Sequence, residues 1–395
     1  MIVLGGLDRE TLMGRTTGSS ESGFVRAIET VRGWPLEPST WVRPAGRRRE
    51  DESHLEGRSR SIGQRPPLTA GDELGDYRLL ERLGHGAQGD VWKSLRRGPI
   101  LELVALKVLK PSLARDPVRM AQFRREAERG GRLDGPSLLP VFELGSGEGY
   151  HYMVMPYIEG VSLREIILAR AAHVAGCPVE ELHRLVTLDE PDYFRSMGRL
   201  LVQAVEALAR VHAHRVAHRD IKPANILIDH SRPESVYFCD FGLGRDLEIA
   251  TPQQMRDGAG TPMYMAPERL LRASADEIRC DIYSMGVTIF EALTLARPFR
   301  VPDYVSLPAL PAYLAAAVAR RPSEVRRGFP PELEATILRA MDRRPMRRQE
   351  SAEQLAAELR QAMDRWTPRR SRPVLDGPHP TTGQNPHLVR TARPA

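Results

Sequence analysis

The sequence predicts an α+β protein in which short strands come first and longer helices follow. Strand-length apolar runs occupy the region just after Asp76, whereas helical spacing of apolar residues dominates from Gln122 onward. The apolar share of 41% and the charged share of 27% are typical of a globular protein with a real core. The 395 residues allow one large two-lobed domain with tails, or two ordinary domains.

Three successive strands are expected at the start of this patterned region. They cover Tyr77–Leu83, Asp90–Ser94 and Leu101–Leu109. The third run is rich in aliphatic residues and lies between Pro99 and Pro111, which mark its limits. The first two runs are joined by a glycine-rich turn, so they should form a hairpin.

Two later helices have the clearest apolar periodicity. Ser351 and Gln354 have the spacing of a capping box at the start of the second one. The periodic positions are Leu201, Val205 and Leu208 in the first helix and Leu355, Leu359 and Met363 in the second.

Both ends of the chain lack such periodicity. Residues 1–75 mix Arg, Gly, Ser, Pro and acids, and the tail 367–395 repeats Pro without an apolar pattern. We therefore expect disordered ends on either side of a folded region at about 76–366.

Charge and cysteine usage exclude several classes of protein. The formal net charge is +6, but most of the excess lies in the tail, and the central region has no basic run with interleaved aromatic residues. Cys177, Cys239 and Cys280 have neither the count nor the spacing of a disulfide framework or a zinc site. The apolar run 312–319 is far shorter than the roughly 18 residues that a membrane span needs. We expect a cytoplasmic protein without a nucleic-acid or membrane partner.

The turn between the first two strands carries Gly84, Gly86 and Gly89. Glycines permit a positive φ and let the backbone approach phosphate oxygens that a Cβ would obstruct. The same spacing occurs in dinucleotide-binding folds, but there a helix follows the loop, and here another strand follows. Alone, the pattern also fits an ordinary hairpin turn.

Lysine is rare in this chain, which has 53 Arg and only four Lys. A lysine retained in such a background indicates a task that needs a compact point charge on a flexible stem. Lys107 at the end of the third strand and Lys222 are the positions that stand out. The four lysines are Lys93, Lys107, Lys110 and Lys222.

Three further motifs follow in a fixed order. Residues 218–225 read His-Arg-Asp-Ile-Lys-Pro-Ala-Asn, residues 240–242 read Asp-Phe-Gly, and residues 266–268 read Ala-Pro-Glu. Together with the glycine turn and Lys107, this ordered set resembles the protein kinase family, over about 290 residues. The resemblance is nearest to bacterial serine/threonine kinases of the eukaryotic (Hanks) type. It implies a bilobal fold with a small β-rich N-lobe at about 76–156 and a larger α-helical C-lobe at about 157–366.

The resemblance also implies catalytic roles. Asp220 would accept the proton of the substrate hydroxyl, and Asn225 and Asp240 would bind Mg²⁺, or Mn²⁺, with oxygen ligands. Lys107 would hold the α- and β-phosphates of ATP and pair with a glutamate on the first large helix. Glu126 is the expected partner, and Glu128 is the alternative.

The nucleotide would lie between the lobes. The glycine turn would cover the phosphates, and Val91, Ala105 and Leu227 would enclose the adenine. Since Pro156 has no amide hydrogen, Tyr157 would supply the backbone donor for the adenine edge. The expected nucleotide-binding residues are Leu83, Gly84, Gly86, Gly89, Val91, Ala105, Lys107, Met155, Tyr157 and Leu227.

The same resemblance points to substrate and regulation. Lys222 and Thr261 are similar to residues of serine/threonine kinases, so the substrates would be protein hydroxyls. Arg219 beside Asp220 could pair with a phosphate on the following loop, and Thr251 is the only hydroxyl residue between Phe241 and Gly260. We expect autophosphorylation at Thr251, in trans within a homodimer, with an unmodified loop threonine as the alternative. By the same resemblance, Asp281 would brace the catalytic loop and Arg348 would pair with Glu268.

Two departures from the family pattern carry expectations. Gly130 replaces a large apolar residue that usually links the lobes, and Gly130 with Gly131 should weaken the helix by about 1 kcal/mol each relative to Ala. The inactive state should then be favoured until something orders this helix. The connection 168–193 is long, and residues 179–182 indicate an inserted helical turn.

Two rival functions remain open at this level. A pseudokinase would bind ATP as a scaffold, which is disfavoured because Lys107, Asp220, Asn225 and Asp240 are all present. A small-molecule phosphotransferase is disfavoured by the segment from Asp240 to Glu268.

Overall fold

The computed structural model describes residues 67–86, 88–132, 135–179, 182–231, 235–240, 261–271 and 275–366. The predicted disorder of the N-terminal extension before residue 67 and of the tail 367–395 lies outside these residues. Within them, strands precede helices and form two lobes, which confirms the α+β prediction. None of the helices in these ranges is long and apolar enough to cross a membrane.

The N-lobe is built on one antiparallel sheet with the order β1-β2-β3-β4-β6-β5. Leu106 and Trp92 are paired across β4 and β3 and lie in the core on one face of the sheet. Residues such as Ala105 and Lys107 therefore project from the opposite face, because side chains alternate along a strand. The strands are β1 (Glu73–Leu74), β2 (Tyr77–His85), β3 (Gly89–Arg96), β4 (Glu102–Leu109), β5 (Glu143–Gly147) and β6 (Tyr150–Pro156).

The folded region extends N-terminal to the expected boundary at Asp76. Leu74 in β1 is fully buried and pairs with Tyr77 of β2, and Leu68 packs against the same apolar cluster. Burial of these two leucines holds the segment before Asp76 on the lobe. The expected boundary lies in the turn between two paired strands.

Two helices follow β4, the short α1 (Pro111–Ala114) and the longer α2 (Pro117–Gly130). Phe123 and Ala127 of α2 pack on Leu109 and Met153 of the sheet. This contact fixes one face of α2 against the side of the sheet from which Lys107 projects.

The C-lobe contains one large apolar core and a small antiparallel sheet with the order β7-β8-β9. Its strands are β7 (Gly160–Ser162), β8 (Ile226–Asp229) and β9 (Val236–Phe238). Its helices are α3 (Leu163–Val174), α4 (Glu190–Ala213), α5 (Pro267–Leu270), α6 (Glu277–Thr294), α7 (Leu310–Ala316), α8 (Pro322–Val325), α9 (Pro331–Ala340) and α10 (Ala352–Arg365), and its 3₁₀ turns are Arg184–Val186, Pro223–Asn225, Thr261–Tyr264 and Pro345–Arg347.

The two helices predicted from periodicity are α4 and α10, and the capping of α10 differs in one detail. The Ser351 hydroxyl accepts the Gln354 amide hydrogen at 3.2 Å, as expected. The Gln354 side chain instead accepts the amide hydrogen of Glu350, at 2.8 Å, one residue before the predicted partner. After α10, Trp366 packs on Phe194 with a ring-centroid distance of 4.6 Å, which seals the end of the lobe.

The long connection between α3 and α4 contains an ordered turn at Arg184–Val186, whose Leu185 and Val186 are buried. Glu180 and Glu181, in the middle of the predicted helical turn, lie outside the described residues. The buried Arg170 of α3 donates to the carbonyls of Val186 and Leu188 and holds this connection on the lobe.

Candidate active site

An ion-pair triad of two buried residues and the partly exposed Asp240 lies where the N-lobe meets the C-lobe. The Lys107 ammonium lies 2.5 Å from a carboxylate oxygen of Glu126 and 2.6 Å from one of Asp240. Lys107 and Glu126 are 8% and 3% exposed, so water screens neither group. The expected pairing with Glu126 is present, and Glu128, the alternative, is exposed.

The triad holds one cation between two anions, and this shapes the pKa of each group. Burial disfavours a charge on Lys107, but Asp240 and Glu126 outweigh it and raise the pKa of the ammonium. Burial raises the pKa of Glu126, against the opposing effect of Lys107. The pKa of Asp240 is lowered in spite of burial because Lys107 both attracts it and donates a hydrogen bond to it. Asp240 is therefore the carboxylate held most firmly in its charged form.

The segment from His218 to Asn225 forms a compact loop around Asp220. The Lys222 ammonium donates to Asp220 Oδ2 at 2.6 Å, and the Asn225 amide nitrogen donates to the same oxygen at 3.0 Å and to the Asp220 carbonyl at 2.8 Å. Asp220, Lys222 and Asn225 are all less than 10% exposed. The loop therefore fixes the Asp220 carboxylate in a single orientation.

This loop is anchored to helix α6 by a buried carboxylate. Asp281, 1% exposed, accepts the amide hydrogens of His218 and Arg219 at 2.7 and 2.8 Å. The ring of His212, at the end of α4, contacts the same carboxylate at 3.0 Å. The expected bracing by Asp281 is present, and it comes from two elements distant in sequence.

Two of the six non-glycine residues with positive φ in the described part of the chain lie in the site. Arg219 and Asp240 have φ angles of 69° and 60°, in the left-handed region that residues other than glycine seldom adopt. Such strain persists only where surrounding contacts over-determine the backbone, and it is typical of functional sites. At Arg219 those contacts are the Asp281 bond and a bond from Arg269 to the Arg219 carbonyl at 3.0 Å.

The Arg219 side chain lies near the carboxylate of Glu277. Its Nε is 3.6 Å from a carboxylate oxygen of Glu277, and Arg269 Nη1 lies 3.7 Å from the same oxygen. Thr251, expected to carry a phosphate for Arg219, lies outside the described residues, as do Phe241 and Gly242.

The segment that follows residue 260 is held on the C-lobe by a bidentate ion pair between Glu268 and the buried Arg348. Arg348, 1% exposed, donates to the two carboxylate oxygens of Glu268 at 2.7 and 2.8 Å. The expected pairing of Arg348 with Glu268 is thus present. It anchors α5, directly after the 3₁₀ turn that Thr261 begins.

The expected adenine contacts lie on one face of the N-lobe sheet, opposite the face that forms the lobe's apolar core. Val91 is paired with Lys107, and Ala105 with Met155, so these four side chains share the face that is turned away from the apolar core of the lobe. Leu227 lies on β8 of the C-lobe, and Tyr157 directly follows β6. Leu83, near the end of β2, is 43% exposed.

The glycine turn is a β2–β3 hairpin as predicted, but the reason for its glycines differs. Among the described residues with a positive φ, neither Gly84, Gly86 nor Gly89 appears. A Cβ on Gly89 would lie 1.9 Å from the Val108 carbonyl oxygen, whereas a Cβ on Gly84 would meet nothing within 4 Å. Gly89 is therefore required by the close approach of β3 and β4, and Gly84 faces open space.

Asn225 and Asp240 have the donor atoms that a hard divalent cation requires. The hydrogen bonds of Asn225 use its amide nitrogen, which leaves the amide oxygen for a metal. Asp240 supplies a carboxylate with a lowered pKa. Carboxylate and amide oxygens suit Mg²⁺ or Mn²⁺, so the residues present fit the expected ion.

Several contacts of the site have no signal in the sequence. His212 on Asp281, Arg269 on the Arg219 carbonyl, and Lys93 over the ring of Tyr157 each join residues that no short motif connects. The scarcity of lysine was the one available hint for Lys93.

A β-rich lobe and a helical lobe meet at a lysine–carboxylate triad, beside a loop carrying Asp, Lys and Asn, which is the architecture of the kinase class of fold. The model of the protein kinase domain matches residues 77–357, and the chain belongs to the protein kinase family.

Curated relatives and solved structures agree with this assignment. The serine/threonine-protein kinase PrkC of Bacillus subtilis is 33% identical over 293 residues, which are 73% of this chain and 41% of that protein. The serine/threonine-protein kinase PknB of Mycolicibacterium smegmatis is 33% identical over 304 residues, 74% of this chain and 44% of that protein. The chain spans less than half the length of these relatives. The crystal structure of the Mycobacterium tuberculosis PknI kinase domain matches with a TM-score of 0.53 and 24% identity over 75% of this chain and 100% of that one, which supports the fold.

Proposed function

We propose that this protein is a serine/threonine kinase that transfers the γ-phosphoryl group of Mg-ATP to serine or threonine hydroxyls of proteins. The observation that carries the proposal is the Asp220–Lys222–Asn225 loop held opposite the Lys107–Glu126–Asp240 triad. Phosphoryl transfer depends on positioning and charge stabilisation, and hydrogen bonds within each group fix the positions of its side chains.

In this proposal Asp220 orients the attacking hydroxyl and accepts its proton. The Lys222 ammonium beside Asp220 stabilises negative charge that builds on the transferred phosphoryl oxygens. Lys107 binds the α- and β-phosphates while Glu126 keeps it in place. Val91, Ala105, Met155 and Leu227 enclose the adenine, and the Tyr157 amide donates to its edge.

Asn225 and Asp240 would hold the divalent cation, which neutralises phosphate charge when bound. The fit rests on the amide oxygen of Asn225 and the low pKa of the Asp240 carboxylate. Mn²⁺ accepts the same ligands as Mg²⁺.

Regulation by autophosphorylation at Thr251 belongs to the proposal. Arg219 and Arg269 both approach one Glu277 oxygen at 3.6 and 3.7 Å, so two guanidinium groups stand near the strained catalytic loop. Transfer in trans within a homodimer would deliver the phosphate.

We also propose a cytoplasmic location, because Cys177, Cys239 and Cys280 are free thiols.

The decisive assay uses labelled ATP with Mg²⁺ or Mn²⁺ and a generic basic protein as substrate. Asp220→Asn keeps the shape but removes the base, so we expect transfer to fall about 10²- to 10⁴-fold. Acid hydrolysis of the labelled product should give phosphoserine and phosphothreonine. Label that is equal in wild type and Asp220→Asn would defeat the proposal, and nucleotide binding with no label at all would favour an ATP-binding scaffold.

A further inference from the structure

Lys93 makes a contact that the proposed chemistry does not use. Its ammonium lies 4.7 Å from the centroid of the Tyr157 ring, over the face of that ring. A cation at this distance is attracted by the negative charge on the face of the aromatic ring. Lys93 is also one of only four lysines in a chain that otherwise uses arginine for its basic side chains.

The carboxylate directly opposite Lys93 on the neighbouring strand, that of Glu81, does not pair with the ammonium. Glu81 on β2 is directly opposite Lys93 on β3, and opposite residues of antiparallel strands project from the same face. Among the residues that the structure describes, Lys93 forms no ion pair, with Glu81 or with any other acid. The ammonium is directed across the sheet toward the tyrosine instead.

The position of the contact links it to the nucleotide. Lys93 is paired with Ala105, and Ala105 with Met155, so Lys93 lies on the sheet face that carries the expected adenine contacts. Tyr157 is the first residue after β6 and starts the three-residue segment that joins the lobes before β7. The contact therefore connects the second strand of the glycine hairpin to the segment whose amide is assigned to the adenine.

We propose that Lys93 is a positioning residue for the nucleotide, which holds Tyr157 and the outer edge of the adenine site in place through this cation–π contact. The inference rests on the proposed function for the identity of the nucleotide. Because Lys93 holds Tyr157, which is assigned to the adenine and not to the phosphates, it affects ATP affinity rather than the transfer step.

The test compares Mg-ATP binding and turnover in the full-length protein. Lys93→Met keeps the length of the side chain and removes its charge, so we expect the Kd and KM for Mg-ATP to rise about 3- to 10-fold, the size of one cation–π contact. We expect kcat to change less than about 2-fold, and the midpoint of thermal unfolding to stay within about 2 °C. Lys93→Arg, which keeps a cation able to stack, should bind more tightly than Lys93→Met.

Two further variants separate the contact from a general effect of charge. Lys110→Met makes the same substitution at a lysine of the same lobe that lies over no aromatic ring among the residues that the structure describes, and its Kd should equal that of wild type. Tyr157→Leu removes the ring but keeps the backbone amide, and should weaken binding more than Tyr157→Phe does. Each of the two substitutions removes the same contact. The Kd of the double variant Lys93→Met/Tyr157→Leu should therefore lie within about 2-fold of the Kd of the single variant that binds more weakly.

The inference is overturned if Lys93→Met binds Mg-ATP as tightly as wild type, or if the two single effects multiply in the double variant. It is also overturned if Lys110→Met weakens binding equally. Because Kd is measured by titration without a protein substrate, the outcome is independent of the kinase assay. A protein that binds Mg-ATP but transfers no phosphate would refute the proposed function and leave the role of Lys93 testable.

Discussion

Gly84 and Gly89 lie in one hairpin, yet a methyl group on each would meet very different surroundings. At Gly89 the methyl carbon would lie 1.9 Å from the Val108 carbonyl oxygen and 2.8 Å from its carbonyl carbon. Backbone atoms in a sheet cannot move aside as a side chain can. At Gly84 the same methyl group would project into open space.

Gly89→Ala should therefore lower the free energy of unfolding, whereas Gly84→Ala should not. We expect a loss of about 1–3 kcal/mol for Gly89→Ala, because β3 must move away from β4. For Gly84→Ala we expect a change within about 0.5 kcal/mol, since no atom is displaced. Urea unfolding of the two variants measures the difference, and equal losses would contradict a structural role specific to Gly89.

The Lys107 triad shows why a buried ion pair is evidence of function rather than of stability. Two carboxylates share one ammonium, so with both carboxylates ionised the three groups carry a net negative charge that water reaches only at Asp240, whose side chain is 33% exposed. A divalent cation beside Asp240 would balance that charge. The excess negative charge of the triad is thus unfavourable in the empty site and becomes favourable when a cation binds beside it.

Helix α2 illustrates how one element compensates for a missing side chain. Gly130 is its last residue, and a Cβ there would lie 2.5 Å from Cγ2 of Val141. Val141, just before β5, therefore occupies the space that a larger residue at position 130 would need. Gly131 follows the end of the helix, so only Gly130 carries the helix-propensity cost that was expected of both glycines.

The expected preference for an inactive arrangement stays a prediction, but the structure shows the helix formed in spite of its glycines. Helix α2 is formed throughout, and its Glu126 reaches Lys107 at 2.5 Å. Packing of Phe123 and Ala127 on the sheet stabilises the helix in spite of the low helix propensity of glycine, since most helix stability in proteins comes from tertiary contacts.

Gly130→Ala should destabilise the protein although alanine is the better helix former. We expect a loss of about 1–3 kcal/mol from the clash with Val141, larger than the gain of about 1 kcal/mol in propensity. Val141→Ala should cost about 1–2 kcal/mol by leaving a cavity. In the double variant the alanine at 130 would fill part of that cavity, so its loss should be smaller than the sum of the two.

Thermal or urea unfolding of the two single variants and the double variant measures this coupling. Additive losses would show that positions 130 and 141 do not compete for the same space. Gly131→Ala provides a matched control, because that residue lies beyond the helix and its Cβ would approach backbone oxygens no closer than 3.3 Å.

The chemistry of the site could be predicted from the sequence because it depends on residue types at short, fixed spacings. Asp220, Lys222 and Asn225 lie within six residues of one another, and their mutual hydrogen bonds follow from that local geometry. The partner of Lys107 could be predicted because a helix presents few glutamates on one face.

Contacts between segments that are distant in the sequence cannot be predicted from short motifs. Val141 reaches Gly130 only because β5 runs beside α2, and Lys93 reaches Tyr157 only because three strands place it there. Sequence patterning starts the fold only at Asp76 for the same reason, since the burial of Leu74 depends on pairing with β2. Such contacts are products of packing, which a single sequence does not display.

The two lobes have separate apolar cores. The N-lobe core contains Leu106 and Trp92, the C-lobe core contains Leu208, and the two clusters share no residue. The lobes are joined through the segment after β6, through the Lys107–Asp240 ion pair, and through residues 137–139, where Leu138 packs in the C-lobe core and the Leu139 amide donates to the Phe238 carbonyl at 3.3 Å. Two lobes unfold as one unit when the unfolding of one exposes the core of the other. Because the links between these lobes are limited, unfolding one lobe would expose little of the other core.

We therefore expect the lobes of the ligand-free protein to unfold in separate steps. Trp92 is 4% exposed in the N-lobe core and Trp366 packs on Phe194 of the C-lobe, so each reports on one lobe once Trp34 and Trp41 are replaced by Phe. Leu106→Ala, at a fully buried position, should move the Trp92 transition to lower urea by the equivalent of about 2–5 kcal/mol and leave the Trp366 transition in place. Leu208→Ala, equally buried, should do the reverse, whereas coincident shifts of both signals in either variant would show that the two cores unfold as one unit.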